Sequence, residues 1–573
     1  MNQDLSKIFR EMSVFLEMKE VPFKPQAYER VSSAMESLQE DVSDIYREGG
    51  LKALEAIPSV GRGIAEKMEE YIKTRRINDY EKLKKELPID IEGLLSVEGV
   101  GPKTILHLYK ELGIKNLEQL EQAAKAGKIR KIAGMGEKTE QKILKGIGFL
   151  KSSGGRLVLG FVMPDFRKIL DKIRKVEGVK AAEFAGSVRR MQETVGDLDI
   201  LVISTKPSKV MDFFISMSEV EAVHEHGKTR SSVRLKMGID ADLRVLSPES
   251  FGAGLQYFTG DKYHNVQLRE VAIKQGYKLS EYGLYKGKKL IAGETEKEIY
   301  EKLGFEYMPP EIRTNHGELE ASKARKLPKL IGYDDLRGDL QVQTDWTDGE
   351  HSIEEMAKAA EKLGLEYICI TDHTKSLAMT GGSDEKKLLK QMAEIDKTNS
   401  QFAIRNSQFK ILKGAEVNIM KDGSLDINDE TLAKLDVVGA AVHSNFNMSE
   451  EDMTKRIIRA MENPNVDIIF HPTGRIINKR EAYKVNVEEL LRVAKRTGII
   501  MEIDAFPDRL DLKDEYIRKG IEMGVKFSID SDAHSANHFQ YLEYGIAQAR
   551  RGWATKSDVI NTRNWEGMLK QLK

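Results

Sequence analysis

The strongest constraint on the fold is a short polar segment that ends in two aspartates and runs directly into an apolar stretch. Gly186 and Ser187 open the segment, Asp197 and Asp199 close it, and the apolar run 200–203 follows. Such a run predicts a buried strand. Residues two apart on a strand point to the same side, so we expect the two carboxylates to face one site.

Paired carboxylates of this kind indicate a site for a divalent metal ion. Two anionic groups repel each other unless a cation lies between them, and hard oxygen ligands select Mg²⁺ or Mn²⁺. The turn at Gly186 and the arginines Arg189 and Arg190 are suited to hold the phosphates that such metals bridge. An Asp-x-Asp pair alone is often only a solvated turn, but with Gly-Ser at this distance before it the pattern favours nucleotidyl transfer.

A second predicted strand offers the third carboxylate of a two-metal site. Residues 239–245 alternate in character, with Asp240 and Asp242 on the same side. Either aspartate could complete the site, and the alternative is a salt-bridged strand edge. Three carboxylates would hold two metal ions, one activating a 3′-hydroxyl and one binding a triphosphate.

Aromatic residues stand beside a glycine downstream of that strand. Tyr257 and Phe258 precede Gly260, and Asn265 and Arg269 follow on a predicted helix. The rings are suited to stack against a sugar, and Asn265 could reach a base edge. The aromatic pair could equally belong to the core of a small helical domain.

Three related glycine hairpins recur within the first 150 residues. Each is flanked by apolar residues and opens a predicted helix, which indicates an internal repeat. Their glycines are Gly61 and Gly63, Gly99 and Gly101, and Gly134 and Gly136. Glycines let the backbone approach closely, and free N–H groups at a helix start attract an anion such as a DNA phosphate. One hairpin could be an ordinary packing corner, but three favour DNA binding through phosphates without reading of the base sequence.

Bulk charge neither supports nor excludes a nucleic-acid partner, because the chain of 573 residues has a formal net charge of −1. Locally, residues 101–150 hold 10 lysines and arginines against 5 aspartates and glutamates, which supports DNA binding. The single cysteine, Cys369, excludes a disulfide framework and a cysteine-rich zinc finger. No segment approaches the ~18 apolar residues of a membrane span and the N-terminus lacks a signal-peptide pattern, so we expect a cytoplasmic protein without membrane contact.

Lys67 follows the first hairpin and carries a second hypothesis. The positive end of a helix and neighbouring cations could lower its pKa enough for Schiff-base chemistry. The alternative is a phosphate contact or a solvated lysine, and spacing alone favours that alternative.

Beyond a basic, proline-containing linker at 321–330, apolar runs alternate with amphipathic helices. This alternation predicts a parallel α/β sheet or barrel. The runs are 367–370, 437–442, 467–470, 499–503 and 526–529.

Imidazole and carboxylate side chains gather at the carboxyl ends of the predicted strands, where barrel active sites lie. They are Asp372, His373, Glu416, His443, His471, Asp532 and His534. Such ligands at successive strand ends indicate a multinuclear site for Zn²⁺ or Mn²⁺, at which a bridging hydroxide would attack a phosphoester.

The motifs of residues 1–317 together resemble those of the family X DNA polymerases. The Gly-Ser…Arg-Arg…Gly-Asp-Leu-Asp spacing, the Asp-Leu-Arg strand and the Tyr-Phe-Thr-Gly element stand in that family's order. The resemblance implies that Asp197, Asp199 and Asp242 are catalytic metal ligands. It implies nucleotide contacts for Gly186, Ser187, Arg190, Tyr257, Phe258, Gly260, Asn265 and Arg269, with Ser187 and Arg190 at the β- and γ-phosphates and Arg269 on the template side.

Lys67 matches the Schiff-base lysine of the family's 5′-deoxyribose phosphate lyase domain. The match is good over Ala-Glu-Lys, but Gly63 stands where a lysine is usual in the animal enzymes. Lyase activity therefore stays open on the sequence.

The C-terminal third resembles the PHP (polymerase and histidinol phosphatase) domain, which follows the polymerase in bacterial and archaeal members of the family. Members use this domain for 3′–5′ exonuclease and related phosphoester cleavage. The resemblance implies metal ligands at Asp348, His373, Glu416, His443, His471, Asp532 and His534, with Gln341 and Gln343 in the first motif.

That first motif departs from the family. It usually reads Gly-Asp-Leu-His/Gln-x-His, so Gln343 stands where a histidine is expected. A neutral amide is a poor substitute for imidazole towards zinc, and losing one ligand could silence cleavage while keeping the fold. Exonuclease activity therefore also stays open.

The predicted architecture is multidomain, with α/β and α+β parts. Its segments are a helical DNA-binding and lyase-like domain (1–83), a helix-hairpin-helix domain (84–150), a polymerase-beta-like nucleotidyltransferase palm (151–247), a small nucleotide-binding thumb (248–317), a linker (318–335) and a PHP domain folded as a distorted (β/α)7 barrel (336–573). We expect a monomer that fills gaps in primer-template DNA from dNTPs during base excision repair. One alternative is a metal-dependent nuclease or phosphatase whose front half holds DNA, and the complete carboxylate set argues against it. The other is a DNA-binding scaffold with both sites degenerate, and the intact polymerase motifs argue against that.

Overall fold

The structure, a computed structural model, describes residues 1–38, 41–57, 59–97, 100–152, 155–404 and 407–572. Two compact units make up the chain, one of Met1–Gly154 with Asn478–Arg480 and one of Gly155–Ile477 with Glu481–Lys573. Across the described residues, the first unit is helical and the second contains the strands. No helix in these ranges combines the length and the apolar character that a bilayer crossing requires.

The helices of the first unit are Asn2–Met18, Lys24–Ser37, Val42–Glu55, Arg62–Thr74, Asn78–Glu86, Ile91–Leu95, Pro102–Leu112, Leu117–Lys125 and Glu137–Ser152, with a 3-10 turn at Ile129–Lys131. Apolar residues three apart give each longer helix one buried face, as with Ala65, Met68 and Tyr71. These faces share one hydrophobic core, which includes Phe9 and Leu108. The helical architecture predicted for this region is confirmed.

The strands, all in the second unit, are β1 Leu157–Val158, β2 Val179–Phe184, β3 Thr194–Val195, β4 Asp197–Ser204, β5 Val220–His226, β6 Arg230–Leu235, β7 Asp240–Leu246, β8 Lys278–Ser280, β9 Gly283–Lys286, β10 Lys289–Ala292, β11 Gly338–Val342, β12 Tyr367–Ile370, β13 Lys410–Asn418, β14 Val437–Ala441, β15 Ile468–Ile469, β16 Ile500–Asp504 and β17 Phe527–Asp530. A five-stranded sheet has the order β2-β4-β7-β6-β5, and its β4 and β7 run parallel. A smaller sheet has the order β10-β9-β8, and β1 pairs with β3.

The helices beside these sheets are Leu159–Arg174, Gly186–Arg189, Pro207–Ile215, Pro248–Thr259, Lys262–Lys274, Glu296–Lys302 and Glu318–Lys323. The predicted turn at Gly186 and Ser187 is thus the start of a four-residue helix. Part of the predicted linker is also regular, because a helix covers Glu318–Lys323 and Leu330 forms a β-bridge with Thr555.

Strands β11 to β17 lie side by side in chain order, all parallel. The Gln343 N–H donates to the Ala533 carbonyl at 2.8 Å, which brings the first and last strands together into a nearly closed barrel. The outer helices are Ile353–Lys362, Glu385–Ile404, Asp429–Leu432, Glu450–Met461, Val487–Thr497, Asp514–Met523, Leu542–Arg551 and Trp565–Leu569. The predicted parallel barrel is therefore confirmed.

Candidate active sites

The first candidate site lies on one face of the five-stranded sheet. Asp199 pairs in register with Asp242 across the parallel strands β4 and β7, and Asp197 lies two residues earlier on the same face. Leu198 points to the opposite face, where it is fully buried in the hydrophobic core. The strand alternation therefore brings the three predicted carboxylates together.

Electrostatic repulsion among these carboxylates is strong. Burial, together with the negative charges of Asp197 and Asp242, raises the pKa of Asp199 to about 7. A divalent cation relieves such repulsion, and a set of carboxylate oxygens suits Mg²⁺ or Mn²⁺. The residues present therefore fit the predicted metal.

Asp240 is the other aspartate that spacing left open as the third ligand. Its Oδ1 accepts a hydrogen bond from Arg234 Nη1 at 3.0 Å and lies 3.3 Å from His224 Nε2. The hydrogen bond from Arg234 lowers the pKa of Asp240. Asp240 is thus ion-paired at the first residue of β7, a central strand of the sheet, whereas Asp242 lies opposite Asp199 in the parallel pairing.

The start of the helix Gly186–Arg189, which precedes the carboxylates, allows the backbone to approach them closely. Gly186 has a φ of 59°, and a Cβ there would lie 2.4 Å from Asp199 Oδ2, so a larger residue would collide with the carboxylate. Ser187 Oγ is buried and makes no hydrogen bond to any described residue. A buried hydroxyl without a partner calls for a ligand or a water molecule, which fits the predicted phosphate contact.

The two arginines of the motif have different surroundings. Arg190 Nη1 donates to the Thr259 carbonyl, and burial lowers the pKa of the Arg190 guanidinium. Arg189 instead forms a two-pronged ion pair with Glu296, at 2.9 and 2.7 Å. Arg189 is therefore held in an internal ion pair, and Arg190 lies next to Gly260, whose added Cβ would be 3.6 Å from Arg190 Nη1.

Four of the predicted nucleotide residues lie on two consecutive helices, Pro248–Thr259 and Lys262–Lys274. Tyr257 and Phe258 are half-buried, with ring centroids 5.1 Å apart, and the Arg269 guanidinium is 6.0 Å from the Tyr257 ring. Asn265 Nδ2 donates to the Tyr257 carbonyl at 2.7 Å, and Asn265 Oδ1 accepts from Gln256 at 2.7 Å. The sequence offered no signal for Gln256, because its role depends on the packing of the two helices.

The glycine hairpins of the first unit share one backbone pattern. The amides of Val60, Val100 and Met135 donate to carbonyls three residues earlier, at 3.1, 3.0 and 3.0 Å. A Cβ would meet no atom within 4 Å at Gly61, Gly63, Gly101, Gly134 or Gly136, while Gly99 lies outside the described residues. Steric packing therefore does not require glycine at these five positions, although the φ of 79° at Gly134 favours it, and the open space leaves room for a ligand's approach.

Lys67 lies in the helix Arg62–Thr74, with its Nζ 2.8 Å from Asp79 Oδ2. Although partial burial lowers it, the hydrogen bond to Asp79 and the neighbouring Tyr28 raise the pKa of Lys67 above its ordinary value. The Schiff-base hypothesis required a lowered pKa for Lys67, and the ion pair with Asp79 raises it instead.

Replacing Asp79 by Asn is expected to increase Schiff-base formation at Lys67. Loss of the ion pair lowers the pKa of the amine. Each unit by which this pKa falls raises the fraction of neutral amine at pH 7 about tenfold. Borohydride trapping on 5′-deoxyribose phosphate DNA measures the effect. Lys67→Ala should abolish trapping, Lys73→Ala in the same helix should not, and trapping that survives Lys67→Ala would assign another nucleophile.

The second candidate site lies at the carboxyl ends of the barrel strands. Glu416 is at its centre and is fully buried. Its Oε1 lies 3.0 Å from His443 Nε2 and 2.7 Å from His471 Nε2, and its Oε2 lies 3.3 Å from His373 Nδ1. Side chains from four consecutive strand ends therefore converge, as parallel strands allow.

Two groups of residues at this rim have the donor atoms of a metal site. Asp348, His373 and His534 form one and His373, Glu416 and His443 the other, with ligand atoms within 4.8 Å of one another. Although burial lowers it, the charges of Glu416 and Asp348 raise the pKa of His373 to about 9, which reflects an excess of negative charge. Both groups fit Zn²⁺ or Mn²⁺.

The two glutamines of the first motif face the same site. Gln343 Nε2 donates to Glu416 Oε2 at 2.9 Å. Gln343 Oε1 and both polar side-chain atoms of Gln341 are buried without a hydrogen-bond partner among the described residues. An amide N–H directed at the central carboxylate is a donor and not a metal ligand, so Gln343 in this orientation does not take the place of the histidine expected there.

The structure corrects the prediction for one strand-end residue, Asp372, and adds another, Arg509. Asp372 accepts hydrogen bonds from Thr344 Oγ1 at 2.6 Å and from Gln391 Nε2 at 2.5 Å, so it braces the loop instead of facing the rim. Arg509 Nε lies 3.5 Å from Asp532 Oδ2. Its place shortly after β16 is the strand-end signal that could have identified Arg509.

Four family models match the chain in the order of the predicted domains. They are a helix-hairpin-helix domain over residues 1–77, a SAM-like helix-hairpin-helix tandem over 91–148, a DNA polymerase beta thumb over 254–314 and a PHP domain over 339–506.

One curated relative matches the whole chain, and two others match about a third of it. The DNA polymerase/3′-5′ exonuclease PolX of Bacillus subtilis (strain 168) is 34% identical over 579 residues, which span 100% of this chain and 99% of the relative. A probable phosphatase of Thermoanaerobacter sp. (strain X514) is 34% identical over 221 residues, 37% of this chain and 84% of the relative. A probable phosphatase of Acetivibrio thermocellus is 29% identical over 191 residues, 32% of this chain and 73% of the relative. The match to the Bacillus protein therefore includes both candidate sites.

Proposed function

This chain belongs to the family X DNA polymerases that carry a C-terminal PHP domain, and from that premise we propose that it fills short gaps in DNA during repair. The observation that carries the proposal is the carboxylate face of Asp197, Asp199 and Asp242 beside the unpartnered Ser187 hydroxyl. A face that can bind metal ions, next to a hydroxyl that can bind a phosphate, suits nucleotidyl transfer from a dNTP.

Catalysis in this family depends on metal ions, and we propose Mg²⁺ or Mn²⁺ at the three aspartates. When bound, these ions would lower the pKa of the primer 3′-hydroxyl and neutralise the triphosphate. The carboxylate donors and the raised pKa of Asp199 support this choice.

The proposed nucleotide contacts begin next to these aspartates. Ser187 and Arg190 would bind the β- and γ-phosphates, while the 3′-oxygen bonds to the α-phosphorus and pyrophosphate leaves. The remaining proposed contacts are Gly186, Tyr257, Phe258 and Gly260 around the nucleotide, Asn265 at a base edge and Arg269 on the template side. The half-buried rings of Tyr257 and Phe258 support a stacking surface.

At the barrel rim we propose a Zn²⁺ or Mn²⁺ site for 3′–5′ exonuclease or related phosphoester cleavage. Its ligands would be Asp348, His373, Glu416, His443, His471, Asp532 and His534. The hydrogen bond from Gln343 to Glu416 supports weakened cleavage, because the amide takes up a carboxylate oxygen that a metal would use.

DNA is the partner that the helix-hairpin-helix and thumb matches identify. We propose that gapped or primer-template DNA and dNTPs are the substrates, and that the protein acts as a monomer in the cytoplasm. Lys67 remains the proposed nucleophile of a lyase activity.

Gly63→Asp is expected to weaken DNA binding about tenfold at low salt, equally for different base sequences. Gly63 is exposed in the first turn of its helix. An aspartate there would stabilise the helix through its dipole but would repel a phosphate. Gly148→Asp is the matched control, because Gly148 is also exposed with open space around it. Fluorescence anisotropy of labelled duplex measures both variants, and equal affinities would contradict phosphate binding by this hairpin.

The test of the proposed function is extension of a primer across a short gap. Wild-type protein with dNTPs and Mg²⁺ or Mn²⁺ should add the nucleotides that the template specifies and stop when the gap is filled. Failure to extend with either ion would contradict the proposal.

A further inference from the structure

The segment between the helix Gly186–Arg189 and the carboxylates has little regular structure of its own. Residues 191–193, the 191–193 segment, lie outside helices and strands. They follow Arg190 directly, and β3 and β4 with Asp197 come after them. The Gln192 N–H donates to the Ser187 carbonyl at 3.1 Å, so a shift of this segment would displace the proposed phosphate contacts, Ser187 and Arg190, relative to the proposed metal ligands.

Side chains of the barrel bind Glu193 in this segment. Arg475 donates to Glu193 through Nη2 at 2.6 Å and through Nη1 at 3.1 Å, and Gln548 Nε2 donates to Glu193 Oε1 at 2.9 Å. The Arg475 side chain is only 7% exposed. Two parallel charge-assisted hydrogen bonds fix the orientation of the carboxylate as well as its position.

A second arginine of the barrel binds the backbone of the same segment. Arg551 Nη1 donates to the Met191 carbonyl, and Arg551 Nε pairs with Asp514 at 3.2 Å. Met191 has a φ of 50°, a left-handed conformation that costs energy for any residue except glycine. The hydrogen bond from Arg551 therefore helps to hold a conformation that the segment would not adopt readily alone.

The barrel side of this contact is itself firmly anchored. Leu510 and Tyr544 are buried in the same hydrophobic core as Phe166 of the sheet region. A Cβ on Gly160 would lie 2.6 Å from Pro507 Cβ, so the two parts pack closely. Arg475 and Gln548 both donate to the Leu510 carbonyl, which ties the hydrogen-bonding groups to that core.

We propose that Arg475, Gln548 and Arg551 of the barrel are positioning residues of the polymerase site. They hold the 191–193 segment so that Ser187 and Arg190 stay at the correct distance from the carboxylates. The barrel thereby contributes to nucleotide binding, whether or not its own rim cleaves DNA. This inference rests on the proposed polymerase function.

Steady-state gap filling at varied dNTP concentration tests the inference in the full chain. Arg475→Met and Glu193→Gln should each raise the KM for dNTP about tenfold while kcat changes less than about threefold, because phosphate contacts are displaced and the metal ligands are kept. The double variant should be no worse than the more severe single one, since both remove the same ion pair. Arg475→Lys should recover part of the affinity.

Arg167→Gln is the matched control. Arg167 forms another two-pronged ion pair between the sheet region and the barrel, with Glu543 at 3.0 and 2.7 Å, and its side chain is 51% exposed. This variant should leave the KM for dNTP unchanged. If Arg475→Met proves unfolded by circular dichroism, Gln548→Met should still raise KM.

The outcomes separate the inference from the proposed function. Wild-type extension that Asp197→Ala abolishes would establish the polymerase itself. If Arg475→Met and Arg167→Gln then lowered only the thermal midpoint and both left KM unchanged, the contact would be merely structural and the inference would be wrong.

Discussion

Asp197→Ala is expected to reduce gap filling by at least about three orders of magnitude. The substitution removes one of three carboxylates that share one face of the sheet. Metal ions contribute several kcal/mol to the stabilisation of such a transition state, and each 1.4 kcal/mol corresponds to about tenfold in rate. Single-turnover extension of a gapped duplex, with protein in excess over DNA, measures the chemical step directly.

Asp240→Ala supplies the matched control for this loss. Asp240 is an aspartate on the neighbouring strand, in register with Asp197, but its carboxylate is paired with Arg234 and His224. We expect its removal to change the rate less than about threefold. A large loss for Asp240→Ala with little loss for Asp242→Ala would show that the third ligand had been assigned to the wrong aspartate.

Gln343→His is expected to increase primer shortening at the barrel rim by about 10- to 100-fold. Gln343 is fully buried, and its amide donates to the central carboxylate Glu416 at 2.9 Å. An imidazole in its place would offer a lone pair to a metal and would release the carboxylate oxygen. Losing even supporting contacts around a metal costs about 10- to 100-fold in affinity or activity, so restoring a ligand should recover at least that much.

Metal content provides a second readout of the same prediction. Mass spectrometry of protein purified with Zn²⁺ or Mn²⁺ should find more metal per chain in Gln343→His than in the wild type. Gln343→Asn keeps an amide and should gain neither metal nor activity. Full metal occupancy and rapid shortening by the wild type would show that Gln343 does not limit the site.

The apolar runs in the sequence made most of the barrel strands predictable. The five barrel strands predicted from apolar runs differ from the observed ones by no more than one residue at either end. Strands β11 and β13 were not predicted as runs, because polar residues such as Asp339 and Lys413 interrupt them. Asp339 is nevertheless fully buried, since it accepts hydrogen bonds from the backbone and hydroxyl of Ser531.

By itself, the sequence determined which residues could take part in the chemistry. Strand alternation, glycine repeats and apolar runs are local properties, so the Asp-x-Asp pair, the glycine hairpins and the strand-end histidines were all visible as patterns along the chain. Only the tertiary structure separated Asp242 from the ion-paired Asp240 on geometric grounds, and Arg190 from the ion-paired Arg189.

Packing also decided the features that no local pattern records. The ion pair of Glu193 with Arg475 joins residues 282 positions apart, and the amide of Gln343 meets Glu416 across 73 positions. Such contacts depend on where distant segments come to rest around a shared core, and neither composition nor spacing contains that information. The sequence thus determined the two sets of reactive side chains, and the tertiary structure decided which partners hold them in place.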